Sequence, residues 1–243
     1  MTPHGGQDAG VPLIAVNGIE LYYESHGTGA PLLVLGGLGL DVSEMGMLTG
    51  PLAARFRVIA ADNRGTGRSA KPPGPYSIEQ MAADVAGLMD RLELPRAHVL
   101  GMSLGGRIAM ALALAEPARV NRLVLVATSP RSAGARWRVR AGMMVADLPV
   151  LRGRYRQPRS AMKAQFDATT RFDATARLSQ ITAPVLIVHG TSDHVTPVAM
   201  ARQMHDLIPG SRLVLIDGGH LAPLLTRHER LVAEVSAFLT ASG

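Results

Sequence analysis

Residues 97–106 read Ala-His-Val-Leu-Gly-Met-Ser-Leu-Gly-Gly, and Ser103 within them has the setting of a reactive side chain. The apolar pair Val99 and Leu100 leads into Gly101-Met102-Ser103-Leu104-Gly105, and an apolar stretch from Ile108 to Ala115 follows. The Gly-x-Ser-x-Gly therefore lies between a strand pattern and a helix pattern. A serine on so tight a turn is held in strained backbone, so the residues two places either side must be small. A serine hydroxyl is a poor nucleophile until a base takes its proton and an acid holds the base. Downstream, Val185 to Val188 reads as a buried strand running into His189-Gly190-Thr191-Ser192-Asp193-His194. Leu213 to Ile216 reads as another, followed by Asp217-Gly218-Gly219-His220. An aspartate and a histidine thus each follow a strand, in the order Ser, Asp, His.

The elements that must position these residues follow from the hydrophobic pattern. Ile14 to Val16 and Ile19 to Tyr23, split by Asn17-Gly18, carry a hairpin signal. Pro31 to Leu35 is a buried strand ending in Gly36-Gly37-Leu38-Gly39, a loop whose backbone can approach a substrate closely. A helix over about Glu44 to Ala54 and a strand over Val58 to Ala61 come next, then the glycine-rich turn Asp62 to Ser69. Ser77 caps a helix with Gln80 three residues on, and Met81, Val85, Leu88, Met89 and Leu92 form its apolar face. Asp84 and Asp90 on that helix read as solvated. Strands and helices alternate through Arg122 to Val126, and resume with Pro184 to Val188, Pro197 to Ile208, Arg212 to Ile216 and Arg227 to Leu239. Such alternation implies a mostly parallel sheet with helices on both faces, whose ligands bind at the carboxyl ends of strands. Ser103, Asp193 and His220 all fall there.

This order and these strand-end placements resemble the α/β-hydrolase superfamily, over about Ile14 to Leu239. The resemblance implies a mostly parallel eight-stranded sheet flanked by helices. It implies a core over residues 11–129 and 181–243, with a short helical cap, residues 130–180, inserted after the sixth strand. By that likeness Ser103 is the nucleophile, Asp193 the acid and His220 the base; Asp217 is the rival acid, but it stands in the histidine's own loop. The likeness also assigns the oxyanion hole to the backbone N–H groups of Leu104 and Leu38. Many members read His-Gly where this chain has Gly36-Gly37, so an orienting side chain is missing from that loop. Gly37, Met102, Met143 and His194 are expected around the pocket. A dehalogenase of this kind would need an aspartate at position 103. Asp62 to Ser69, Tyr76 to Asp84 and Ala97 to Gly106 are similar to the 3-oxoadipate enol-lactonase and carrier-protein methyl esterase branch. The implied activity is hydrolysis of a small carboxylic ester or lactone. A thioester, a biosynthetic thioesterase, cyclase or lyase, or a ligand-binding protein on the same fold are the alternatives.

Composition bounds the rest. The 243 residues, 47% hydrophobic and 18% charged, suit one globular domain with a sizeable core. The chain has no cysteine, which excludes disulfides and thiol chemistry. The eight histidines lack metal-ligand spacing, and the glycine-rich loops do not extend to a dinucleotide or P-loop motif, so neither metal nor cofactor is expected. No signal peptide and no membrane span is expected, and the reading is cytoplasmic. Net charge is +6, yet between 130 and 180 eleven basic residues face three acidic ones, so that segment carries +8 and the remainder −2. Basic character confined to one segment argues against nucleic acid. It suggests instead an acidic substrate or acyl carrier protein at the cap, or simply a solvated face. His98 and His189 read as buried structural histidines.

Overall fold

Asn17 and Gly18 take left-handed backbone, φ 46° and 75°, and this turns strand β1 (Leu13–Val16) directly back into β2 (Ile19–His26). In the computed structural model, which describes residues 13–132, 155 and 157–241, six further strands extend this hairpin. They are β3 (Pro31–Leu35), β4 (Arg57–Ala61), β5 (Ala97–Met102), β6 (Val120–Val126), β7 (Val185–Gly190) and β8 (Arg212–Ile216). The sheet order is β1-β2-β4-β3-β5-β6-β7-β8. β1 and β2 pair antiparallel, as do β2 and β4, and every later pairing is parallel. The expected eight-stranded, mostly parallel sheet is therefore present.

Near-continuous apolar strands need cover on both faces, and side-chain alternation divides the core in two. Leu33, Leu35 and Val99 face one layer, built by helices α2 (Ile78–Arg91), α3 (Leu104–Ala115), α4 (Arg159–Arg171) and α5 (Val198–Leu207). Leu32, Val34, Leu100 and Met102 face the other, against α1 (Gly46–Leu52), α6 (Ala222–Leu225) and α7 (His228–Thr240). The Ser77 hydroxyl caps α2 by accepting from the Gln80 N–H at 3.0 Å, as its sequence predicts.

Two expectations are corrected. The helix foreseen over residues 44–54 is a 3-10 turn, Val42–Met45, followed by the shorter α1. Asp41 and Glu44 form a capping box that starts the chain coiling early, and Pro51 lies within α1, at its end. Asp84 is not solvated: it is 2% exposed and takes a two-pronged ion pair from Arg64, at 2.5 and 2.7 Å. Asp90, by contrast, is exposed and meets Arg119 at 2.8 Å.

Between β6 and β7, the described part of the basic segment is helical at α4 and again in the 3-10 turn Thr175–Gln180. α4 is stitched to the core by polar side chains. The fully buried Gln165 amide donates to the carbonyl of Arg64 at 2.7 Å and the hydroxyl of Thr66 at 2.8 Å. Arg107 of α3 donates to the Thr169 carbonyl at 2.6 Å, and Arg171 to the Tyr76 carbonyl at 2.7 Å. Met143 and the arginines at 136, 138, 140, 152, 154 and 156 lie outside the described residues.

Candidate active site

β5 delivers its chain to Ser103, where the backbone turns to φ 52° and ψ −110° before α3 begins at Leu104. Left-handed backbone is unfavourable for a serine and persists only where neighbours enforce it. Here the Ser103 N–H donates to Val126 O at 2.9 Å, and its carbonyl accepts from the Thr128 hydroxyl at 2.7 Å and the Gly106 N–H at 3.1 Å. The glycines are sterically required. A β-carbon on Gly101 would fall 2.2 Å from the Gly105 carbonyl oxygen, and one on Gly106 about 2.6 Å from Thr128.

β7 and β8 bring the two partners to the same edge. His220, 14% exposed at its side chain, places Nε2 3.0 Å from Ser103 Oγ and Nδ1 2.7 Å from Asp193 Oδ2. The carboxylate accepts hydrogen bonds only, so Nδ1 carries the proton and Nε2 presents its lone pair to the serine. Asp193 is wholly buried at its side chain. Its Oδ1 accepts the N–H groups of Val195 and Thr196, at 2.8 and 2.9 Å, and its Oδ2 also accepts the Thr196 hydroxyl at 2.8 Å. Burial pushes this carboxyl upward, but the bonds from His220 and Thr196 outweigh it and hold Asp193 below the usual carboxylate range. Asp217, the rival acid, is exposed on the histidine loop.

The loop after β3 lies against the serine: a β-carbon on Gly37 would stand 3.4 Å from Ser103 Cβ. The Leu40 N–H closes a turn on the Gly37 carbonyl at 3.2 Å, with Gly39 at φ 75° in its third position, as in a type II turn. That bond does not use the Leu38 N–H. Leu104, first in α3, likewise has an N–H with no carbonyl of its own helix to meet. Asn63, two residues past the end of β4, reaches across and donates to the Gly36 carbonyl at 3.0 Å. The start of α4 lies over the same loop, with Gln157 and Met162 close to Gly39.

Other expected residues fall differently. Met102 is 1% exposed and, alternating with Gly101, turns its side chain into the α1 and α7 layer, so it fills the core rather than lining a pocket. His194 is exposed and joins none of the site's hydrogen bonds. His189 is fully buried and donates from Nε2 to the Thr196 carbonyl at 2.7 Å, and burial holds its imidazole below the ordinary range. His98 is buried and accepts from the Asn121 amide at 3.3 Å. Thr196 and Asn63 were not foreseen from the sequence. Thr196 had a local signal, since an aspartate that captures the N–H groups two and three residues on is an Asx-type turn.

Among the described residues no cluster of three or more His, Asp or Glu is arranged to hold a metal ion, and no helix is long and apolar enough to cross a membrane. Comparison with known proteins places this geometry in a family. The profile describing the alpha/beta hydrolase fold matches residues 30–164 and 150–225. The "Putative carbamate hydrolase RutD" of Azorhizobium caulinodans is 32% identical over 231 residues, 82% of this chain and 87% of that protein. Among solved structures, a hydrolase from Pseudomonas aeruginosa superposes with a TM-score of 0.87 at 29% identity, covering 97% of this chain and all of that one. The enol-lactonase of Burkholderia xenovorans does so with a TM-score of 0.83 at 28% identity, covering 95% of this chain and all of that one.

Proposed function

The chain belongs to the alpha/beta hydrolase fold family, and from that premise we propose that it is a serine hydrolase cleaving a small carboxylic ester or lactone through an acyl-enzyme. The observation that carries this reading is the placement of His220 between Ser103 Oγ and Asp193 Oδ2, at 3.0 and 2.7 Å. In the first step His220 Nε2 takes the Ser103 proton as Oγ attacks the carbonyl carbon. Asp193 holds the opposite nitrogen and stabilises the imidazolium. The N–H groups of Leu38 and Leu104 receive the negative oxygen of the tetrahedral intermediate; losing one such donor typically costs about 10² to 10³ in rate. His220 then returns the proton to the leaving oxygen. Water, deprotonated by the same nitrogen, releases the acid. Gly37 forms the pocket wall beside the serine. Apart from water, each of these steps uses only side-chain and backbone groups of this chain.

Hydrolysis of nitrophenyl acetate and butyrate by wild type and Ser103→Ala tests this, together with mass detection of a fluorophosphonate adduct. Turnover and adduct in wild type, both lost in Ser103→Ala, are expected. Turnover that survives the substitution would refute the assignment. An adduct without turnover would favour a biosynthetic acyl transfer on the same residues.

The relatives' names mention a carbamate and an enol-lactone, both acyl compounds that an activated serine can attack. The net charge of +8 between 130 and 180 supports an acidic substrate or an acyl carrier protein as the acyl donor. Replacing Arg138, Arg140, Arg154 and Arg156 by Gln should then raise KM for an anionic ester about tenfold and spare a neutral one. Equal effects on both esters would exclude it.

A further inference from the structure

We propose that Thr196 is a positioning residue of this site, its N–H and hydroxyl gripping the two oxygens of Asp193 so that the carboxylate offers His220 a fixed acceptor. The proposal rests on the triad reading above.

Every polar group of Thr196 is committed. Its N–H donates to Asp193 Oδ1 at 2.9 Å, and its carbonyl accepts from His189 Nε2 at 2.7 Å, which ties the loop back to β7. The hydroxyl has one proton and four neighbours: Asp193 Oδ2 at 2.8 Å, Ala127 O at 3.2 Å, His220 Nδ1 at 3.3 Å and His189 Nε2 at 3.5 Å. Both histidine nitrogens are themselves donors here, because each faces an oxygen that can only accept. Two acceptors remain, and the carboxylate is both nearer and charged, which makes it the stronger partner. The hydroxyl proton therefore goes to Asp193 Oδ2, the same oxygen that receives His220.

A donor shared in this way draws charge away from the Asp193–His220 bond while fixing its direction. Removing the hydroxyl leaves Oδ2 to His220 at 2.7 Å and to the more distant His189 Nε2, at 3.4 Å and already bonded to the Thr196 carbonyl. The imidazole then binds its proton more tightly, and the carboxylate gains freedom to turn. Among the described residues, the titratable groups facing Asp193 are His220 from the loop after β8 and His189 from β7, while Ala127, just past β6, meets the Thr196 hydroxyl with its carbonyl. A solely structural threonine would lower the fraction of active protein without moving the pH dependence of the reaction that remains.

The test is the pH dependence, from 5 to 9, of fluorophosphonate labelling at Ser103 in the full-length protein. Wild type, Thr196→Val, Thr196→Ser and Ser103→Ala are compared. Thr196→Val keeps the shape and loses the hydroxyl; its labelling should be on the order of tenfold slower, with the midpoint of the acid limb moved to higher pH. Thr196→Ser keeps the hydroxyl and should follow wild type. An unchanged midpoint in Thr196→Val, whatever its rate, would overturn the proposal, as would equal damage in Thr196→Ser. Should the valine variant not fold, Thr196→Cys, a far weaker donor of similar size, carries the same comparison. Failure of the triad reading is told apart because it appears with Thr196 intact: wild type fails to label, or Ser103→Ala still labels.

Discussion

A β-carbon added to Gly105 would lie 2.2 Å from the carbonyl oxygen of Leu35, so α3 can cross β3 only if this position is glycine. Two effects of Gly105→Ala oppose each other. Alanine favours the helix by about 1 kcal/mol. The clash is with backbone of a central strand, which cannot yield as a side chain does, and such overpacking costs about 3 kcal/mol or more. The clash wins, and Gly105→Ala should lower the urea midpoint strongly. Gly46, at the start of α1 with φ −56° and ψ −35°, has nothing within 4 Å of where a β-carbon would stand and is the control, where alanine should be neutral or slightly stabilising.

The same contrast explains how far the sequence could be read. That Ser103, Asp193 and His220 meet was legible because each depends on local punctuation, a strand pattern ending in a loop of fixed type. Asn17-Gly18 and the Ser77 cap were legible for the same reason. Asp84 was not: its partner Arg64 sits twenty residues earlier in a glycine-rich loop, and nothing in helical periodicity predicts that the loop folds onto that face of α2. The Asn63 bond to Gly36 and the Gln165 bond to Arg64 are likewise products of tertiary packing, spanning 27 and 101 residues.

Two acids beside the loop after β3 should shape stability against pH. Burial pushes Asp62 up to about 6 and Glu44 up to about 7, and the nearby Asp41 charge adds to both. A carboxyl raised on folding contributes stability that is fully present below its unfolded value and lost as pH rises through its folded one. For Asp62 the window runs from 3.8 to about 6, and for Glu44 from 4.5 to about 7. Unfolding midpoints in urea should therefore fall between pH 5 and pH 8. Glu44→Gln, whose amide oxygen can still accept the Asp41 N–H, should flatten this fall and be more stable than wild type at pH 8. A parallel decline in both proteins would refute the assignment to Glu44. Asp193, held low, contributes in the opposite sense and matters only as pH drops through its depressed folded value.

Asn63 supplies the final expectation, because on the proposed mechanism it separates positioning of the oxyanion loop from substrate binding. Its amide donates to the Gly36 carbonyl at 3.0 Å, and both residues are buried. Without that donor the carbonyl is left unsatisfied, at a cost of about 1–3 kcal/mol, and the loop can relieve it only by shifting. Movement at Gly36 is passed to Leu38, two residues on, whose N–H, in the mechanism proposed above, meets an oxygen that carries full charge only in the tetrahedral intermediate. An interaction made only there lowers kcat and leaves KM nearly unchanged. Asn63→Ala should thus reduce kcat on nitrophenyl acetate about tenfold, with KM within about twofold of wild type. Asn63→Asp, similar in size but placing an acceptor against an acceptor, should reduce it further. Steady-state kinetics on the three proteins decides the matter: a raised KM at constant kcat would mean that the loop binds substrate rather than the charge developed during reaction.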